Sequence, residues 1–454
     1  MQPSRKTLGI FGLLLVICLI TAIGNPQFLG SGNIENDLRR TALIGFMSIG
    51  AAIVIIAGGI DLSIGAVIAL TACLFQLFLT PTLVPLKEQY LVLGVETSAD
   101  ISQGVTVTLE GAAHHLKQDD QLVYVVSVDG LISKGQLNVR SASVVDDGWL
   151  KTVVVLRGGS VPKGFKPGIT VGVREMHHMS VVLAATLVLL ISLGIGLFHG
   201  LLVTMLRLQP FVVTLCGMMI YRGLARFFAN DQTLGLEDRL EDVKYLVGGK
   251  PFSIPVPLIG RISGEAPDAL FGIDWIGVPV VAIMLTVTAI LAILFLNYSI
   301  YGRYLMALGR NEQAARYSGI NTNRMTVVAY MLCSLLAGVT GILFILEFNS
   351  VAPSSSAIAY ELTAIAAAVL GGCSLRGGEG SIIGVICGAG VMQVLSNSIQ
   401  MLDIPPQLEY VINGFVILLG VIADELLKRL AAKRRSQHEA RLADSSPPPK
   451  DKGA

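Results

Sequence analysis

A succession of uninterrupted apolar runs, most of them close to the length that crosses a bilayer, constrains this chain more than any other feature. A helical span needs about 20 apolar residues. Ten runs stand out, at residues 8–24, 42–58, 64–80, 181–206, 211–229, 275–296, 327–346, 362–370, 382–395 and 411–422. The composition closes off the alternatives. Only 14% of the 454 residues are charged and 53% are hydrophobic, whereas a soluble domain carries about 25% charged residues. A net charge of +1 excludes a strongly basic nucleic-acid binder, and disordered or collagen-like chains are excluded as well. The 49 glycines suit helices that pack closely in lipid. The expected fold is an all-α polytopic membrane protein of about ten transmembrane segments.

The first run follows Arg5 and Lys6, as in a signal peptide, and Ala22-Ile23-Gly24 offers small residues for cleavage. The many spans that follow favour an uncleaved first helix. Residues 87–178 break the apolar pattern. Valine-rich runs at 90–95, 105–109, 122–128, 137–145, 152–156 and 169–173 are separated by Gly, Asp, Asn, Ser and Pro, which predicts strands and turns. Nine basic and ten acidic residues make this stretch water-soluble. It reads as an inserted small β-rich soluble domain, a barrel or a sandwich of about six strands. The predicted organisation is therefore transmembrane segments over 1–86, the β-rich insertion over 87–178, further segments over 179–427 with a loop at 299–324, and a basic, disordered tail over 428–454. His114-His115 and His177-His178 read as solvated, because neighbours on a strand point to opposite faces.

Basic residues in short loops set the orientation. Arg303, Arg310, Arg316 and Arg324 in loop 299–324, and the basic start of the tail, place both on the cytoplasmic side. The tail also suits anionic membrane lipid. The acidic excess of 231–272 suits the outer side, while Arg39 and Arg40 fall in an outer loop on this scheme and count against it. With ten spans both termini are cytoplasmic, and the β insertion is extracytoplasmic.

Chemistry-bearing motifs are few. Gly248-Gly249-Lys250 is followed by Pro251 and lacks the upstream glycine of a phosphate loop, so the chain has no visible ATPase site. No metal motif is present, and Cys18, Cys73, Cys216, Cys333, Cys373 and Cys387 lack C-x-x-C spacing, reading as buried small hydrophobes. The stretch from Arg310 to Gly319 predicts a short amphipathic helix. Glu312 and Arg316 form an i,i+4 pair, Ala314 and Ala315 give a smooth face, and Gly319 supplies a left-handed cap. Such a helix either docks into a cleft on another protein or is an ordinary loop element.

Four polar residues in apolar surroundings are candidates for a substrate pathway. Asp61 is the one acid near the centre of the first half's apolar region, which marks function by default, or else it caps the next helix. Ser63 is a weaker candidate for either role. Glu361 starts a short span, as a pathway group or as a carboxylate favoured by the helix dipole. Asn397 meets substrate or bonds across helices. Arg222 and Arg226, one turn apart, read as snorkelling groups or partners of a loop acid. Gly58-Gly59 before Ser63-Ile64-Gly65 is echoed by Gly371-Gly372 before Ser381-Ile382-Ile383-Gly384, as duplicated broken helices would be.

The E-x-A-A-x-x-x-G pattern at Glu312, Ala314, Ala315 and Gly319 resembles the coupling-loop motif of ABC importer permeases. Three further stretches resemble the ribose-type branch of that family. They are Ala57-Gly58-Gly59-Ile60-Asp61-Leu62-Ser63-Ile64-Gly65, the segment 200–215 with Arg222-Gly223-Leu224, and 360–375 continuing to Gly378-Glu379-Gly380-Ser381. The 87–178 insertion and the long tail depart from the family pattern. The resemblance implies a permease subunit of a ribose/pentose-type importer, of monosaccharides or autoinducer sugars, in a bacterial inner membrane. A second permease copy or homologue would complete the pathway. Separate ABC ATPase subunits, carrying ATP and Mg, would dock at Arg310, Glu312, Ala314, Ala315 and Gly319. An extracytoplasmic sugar-binding protein would deliver substrate. The chain itself would bind no cofactor and catalyse no reaction. The alternatives are a branched-chain amino acid or nucleoside ABC permease, an ion-coupled secondary transporter using Asp61, and a membrane-anchored scaffold.

Overall fold

The computed structural model describes residues 5–80, 82–83, 88–97, 105–110, 121–128, 131–146, 150–156, 167, 169–174, 176–177, 179–236, 241–257, 273–416, 418 and 422. The 428–454 tail and His114-His115 lie outside these residues. The chain divides into two compact units, Met1–Leu77 with Ala185–Ala454, and Phe78–Ala184.

The first unit is helical. Its leading elements are α1 (Arg5–Gly24), α2 (Ser31–Ile56) and α3 (Ile64–Leu79). After the second unit come α4 (Val181–Met205), α5 (Pro210–Phe228), α6 (Glu241–Gly248) and α7 (Val280–Ile293). The series ends with α8 (Ile300–Arg310), α9 (Glu312–Tyr317), α10 (Thr322–Phe348), α11 (Tyr360–Leu370) and α12 (Ile382–Met401). Among the described residues, α2, α4, α5, α7 with its extension to Tyr298, α10 and α12 are long and apolar enough to cross a membrane. Shorter apolar helices are α1, α3 and α11. This is a mostly helical polytopic membrane protein. The apolar window of α2 is 78% buried, against 28% for α4, α5 and α7. So α2 is the central helix, in contact with α7, α10, α11 and α12. The exposed faces of α4, α5 and α7 carry Leu190, Phe198, Met219, Phe227 and Leu291, the side chains a lipid environment favours.

Two boundaries differ from the apolar pattern. α2 starts at Ser31, well before residue 42, so Arg39 and Arg40 sit inside a helix and not in an outer loop. The pattern misses this because the helix carries charged residues that find partners within the fold. Glu35 pairs with Lys250 and accepts from Gly277 N at 2.7 Å, and Arg39 lies 3.8 Å from Glu347. The run at 275–296 opens as a strand. Ile273–Val278 pairs with Phe252–Pro257, and helix begins only after Pro279, whose fixed φ suits a helix start.

Close crossings rely on glycine. A Cβ on Gly196 would come within 2.5 Å of Tyr330 O, and one on Gly200 within 2.6 Å of Val327 Cα, so α4 lies backbone to backbone on α10. Gly384 and Gly388 make the same approach to Gly371 and Ala367, seating α12 on α11. Both G-x-x-x-G pairs therefore pack helices.

The second unit contains a closed barrel. Its strands are β1 (Glu88–Thr97), β2 (Val105–Glu110), β3 (Gln121–Val128), β4 (Leu131–Asp146), β5 (Leu150–Leu156) and β6 (Thr170–Arg174). The order around the barrel is β1-β2-β5-β4-β3-β6, all pairs antiparallel. Strict alternation along β2 points Val105, Val107 and Leu109 inward, where they meet Tyr90, Val92, Val154, Leu156 and Val171. Closure leaves no free sheet edge. Thr82–Leu83 pairs with Met176–His177, bringing the two ends of the insertion together.

The Gly196 crossing gives a direct check. Gly196→Val forces a branched side chain into the α10 backbone and lowers stability in detergent by roughly 1–3 kcal/mol. Gly194→Val, on the same helix with nothing within 4 Å of its Cβ position, leaves the melting temperature close to wild type.

Candidate functional site

The 299–324 loop holds two helices, α8 and α9, and α9 is the short helix that the sequence predicts before Gly319. Asn311 breaks them with an extended backbone (φ −161°, ψ 104°), and its side chain accepts from Ala314 N at 3.0 Å, capping α9. Glu312 and Arg316 pair across one turn at 3.1 Å. α9 ends in a Schellman motif. Gly319 has φ +80°, its N–H donates to Arg316 O, and Ile320 N–H donates to Ala315 O. Ala315 is buried, while Glu312, Ala314, Arg316 and Gly319 are exposed. The result is a rigid, capped, six-residue helix on the surface.

This helix borders a cleft of about 1290 Å³. The cleft floor includes Gly58, Gly59 and Tyr330, and Arg207, Arg310, Arg316 and Arg376 line it with Glu312 as the one acid. Its field is therefore positive. Behind it, α8 meets two helix breaks through glycine alone. α2 ends in a Schellman motif at Gly58 (φ +86°) and α11 in another at Gly372 (φ +91°). Each break leads to a serine before the next helix, Ser63 for α3 and Ser381 for α12, so the sequence echo is a structural one. The two loops join where Gly378 N–H donates to Ile56 O at 2.8 Å. Gly309, the penultimate residue of α8, sits on that bond, and a Cβ there would strike Ile56 O and Gly378 N. A Cβ on Gly377 would lie 2.9 Å from Gly309 Cα and 3.0 Å from Gly58 Cα.

Asp61 lies in the first of these loops and is 2% exposed. Its Oδ1 accepts from Ser63 N at 2.8 Å and Ser63 Oγ at 2.7 Å, which fixes the turn into α3. Nearby, Tyr221 Oη and His199 Nε2 are 2.9 Å apart, and Tyr330 Oη donates to Ile60 O at 3.3 Å. His199 was legible as an ionisable residue inside the 181–206 run. Its tyrosine partners come from other helices, and no local signal marks them.

The other pathway candidates are dispersed. The Glu361 carboxylate lies against Gly65, so it joins Asp61 and Ser63 around the start of α3. Asn397 does not. Its Nδ2 donates to Asn33 Oδ1 at 3.0 Å and Asp37 Oδ2 at 2.8 Å, and Gln393 Nε2 donates to Asp37 Oδ1 at 3.1 Å. It bonds α12 to α2, roughly 28 Å along α2 from Ile56. Arg222 donates to Ser356 O at 2.5 Å and Pro353 O at 3.3 Å. These bonds hold the turn in which Ala357 and Ala359 take the left-handed conformation. Arg226 pairs with the loop acid Asp231 at 2.7 Å, holding that carboxyl below the usual range.

Comparison with known proteins follows the same lines. The family described as branched-chain amino acid transport system / permease component matches residues 122–421. The chain is similar to the ribose import permease protein RbsC of Escherichia coli, 25% identical over 92% of each chain. Similarity to RbsC of Bacillus subtilis is 27% over 93% of each. The xylose transport system permease protein XylH of Escherichia coli is 28% identical over 92% of this chain and 91% of its own. No solved structure matches.

Three substitutions test the geometry. Asp61→Asn keeps Oδ1 as acceptor and preserves folding, whereas Asp61→Ala strips both bonds from Ser63 and costs roughly 1–2 kcal/mol in thermal unfolding. Gly309→Val leaves α9 intact but breaks the Ile56–Gly378 contact. It lowers stability in detergent by roughly 1–3 kcal/mol, as measured by thermal unfolding.

Proposed function

The chain belongs to the family of branched-chain amino acid transport system permease components, and we propose that it is the membrane-spanning subunit of an ATP-driven, binding-protein-dependent importer of a small sugar. The substrate is a ribose-like pentose, a hexose or a related polyol. The near full-length similarity to ribose and xylose permeases carries this reading, and the capped α9 beside its basic cleft supports it. A branched-chain amino acid, nucleoside or ion-coupled transporter is not favoured, because the relatives reported above are sugar permeases.

In this reading the chain performs no chemistry of its own. A separate ATPase subunit binds ATP and Mg, and α9 with Arg310, Glu312, Ala314, Ala315 and Gly319 docks on it. The Gly319 Schellman cap and the Asn311 cap keep α9 stiff, so displacement passes into α8 without unwinding. From Gly309 the motion reaches both helix breaks at once, and alternating access follows from rocking of α2–α3 against α11–α12. A second permease copy or homologue completes the pathway, and an extracytoplasmic sugar-binding protein supplies the sugar. A neutral polyol needs hydrogen bonds more than charge, and Asp61, Ser63, Glu361 and Asn397 act through the geometry described above. The protein is a multi-pass inner-membrane protein. About ten segments cross the membrane, both termini are cytoplasmic, and the β unit is an extracytoplasmic platform for the binding protein.

The test is co-purification of the tagged protein from its native membrane. An ATPase chain is expected with the wild type and lost with Gly319→Leu, whose side chain is strained by about 1–2 kcal/mol in the left-handed conformation. Isolation free of any ATPase would refute the proposal.

A further inference from the structure

A buried guanidinium N–H ordinarily meets an acceptor, because leaving it unmet costs its desolvation. The Nε–H groups of Arg39 and Arg40 are both buried without a hydrogen-bond partner. Arg39 is still held through its Nη2, which donates to Asn36 Oδ1 at 3.2 Å, and it lies 3.8 Å from Glu347, whereas Arg40 has no such carboxylate or amide among the described residues. What Arg40 has is an aromatic surface. Its guanidinium carbon lies 5.8 Å from the centroid of Phe348. Phe348 packs on Phe344 with centroids 4.6 Å apart, and Phe344 meets Tyr360 edge-on at 5.9 Å. Phe344 is buried and anchors the group, whereas Phe348 is 37% exposed and Tyr360 is half-buried. Arg40 and Glu409 are the charged groups facing Tyr360.

The unmet Arg40 Nε–H, the exposed Phe348 ring, the partly buried Tyr360 ring and Glu409, whose Oε1 also accepts from Ser396 Oγ, can make up a site for a neutral polyol. The C–H face of a sugar ring stacks on the electron-rich ring faces, and its hydroxyls accept from Arg40 and donate to Glu409. Arg40 lies roughly 24 Å along α2 from Ile56, so the group sits toward the end of the helix away from the α9 cleft. That is where delivered sugar would enter. Asn397 and Asp37 are less suited, since they satisfy each other.

We propose that Arg40, Phe348 and Tyr360 form the sugar-contacting subsite on the entry side of the pathway, with a monosaccharide supplying the hydrogen-bond acceptor that Arg40 lacks. This rests on the importer reading. The test reconstitutes the complete transporter with its ATPase and binding protein in proteoliposomes. Uptake of radiolabelled D-ribose, D-xylose and L-arabinose is measured beside ATP hydrolysis. Arg40→Gln and Phe348→Ala are expected to lower uptake about tenfold or more while ATP hydrolysis stays near the wild-type level. Phe348→Trp keeps uptake and alters the ranking of the three sugars. Tyr360→Ala, on a different helix, reports on the subsite if an α2 variant does not assemble. Unchanged uptake in these variants overturns the subsite, as does a parallel fall of uptake and hydrolysis. A wild-type complex that hydrolyses ATP but carries none of the three sugars overturns the importer reading instead.

Discussion

The hydrogen bond from Gly378 N to Ile56 O, roofed by Gly309, is the contact on which the rest of the helical unit depends. It joins the end of the central helix α2 to the loop between α11 and α12, and α8 lies against both. Only glycine lets three backbones approach so closely. A helix end normally leaves its last carbonyls without intrahelical partners. Here a carbonyl of α2 is used to bind another segment, so the termination of one helix becomes the attachment point of a second. Movement of α8 therefore cannot leave either break undisturbed.

The same constraint, a polar group that must find its partner inside the protein, explains the long central helix. α2 carries Glu35, Asp37, Arg39 and Arg40 in its first turns and still belongs to the core. Lys250, Gln393, Asn397 and Glu347 answer three of these four side chains from other elements. In water such residues would be surface ornaments. In a bilayer each requires a specific neighbour, which ties α2 to α10, α12 and the Phe252–Pro257 hairpin. Arg40 is left over, and its stacking on Phe348 is the feature that a ligand would complete.

Much of the architecture was legible because apolar length and glycine placement act locally. The order of helices follows the runs, α9 follows from Glu312, Arg316 and Gly319, and the strands of residues 88–174 follow from valine alternation between turn residues. The failures have a common origin. The charged first turns of α2 look like a loop unless their partners are known, so the apolar pattern alone begins only at residue 42. The strand over Ile273–Val278 is as apolar as the helix after it, so hydropathy does not separate the two. The 299–324 loop shows one short helix in its sequence, from Glu312 to the Gly319 cap, and the helix before it, α8, has no comparable pair of local signals.

The candidate site divides the same way. By itself the sequence determined that Asp61, Glu361 and Asn397 stand in apolar surroundings, that a capped helix follows Arg310, and that two glycine-broken elements repeat. These follow from residue type and short-range spacing. The tertiary structure alone decided that Asp61 is occupied by Ser63, that Asn397 serves α2, and that Gly309 roofs the junction of the two breaks. It also decided that Arg40 lies over the Phe348 ring with its Nε–H unmet. Those outcomes depend on which distant backbone arrives within hydrogen-bond distance, and hydrogen bonds between residues hundreds of positions apart leave no periodic trace in a single chain.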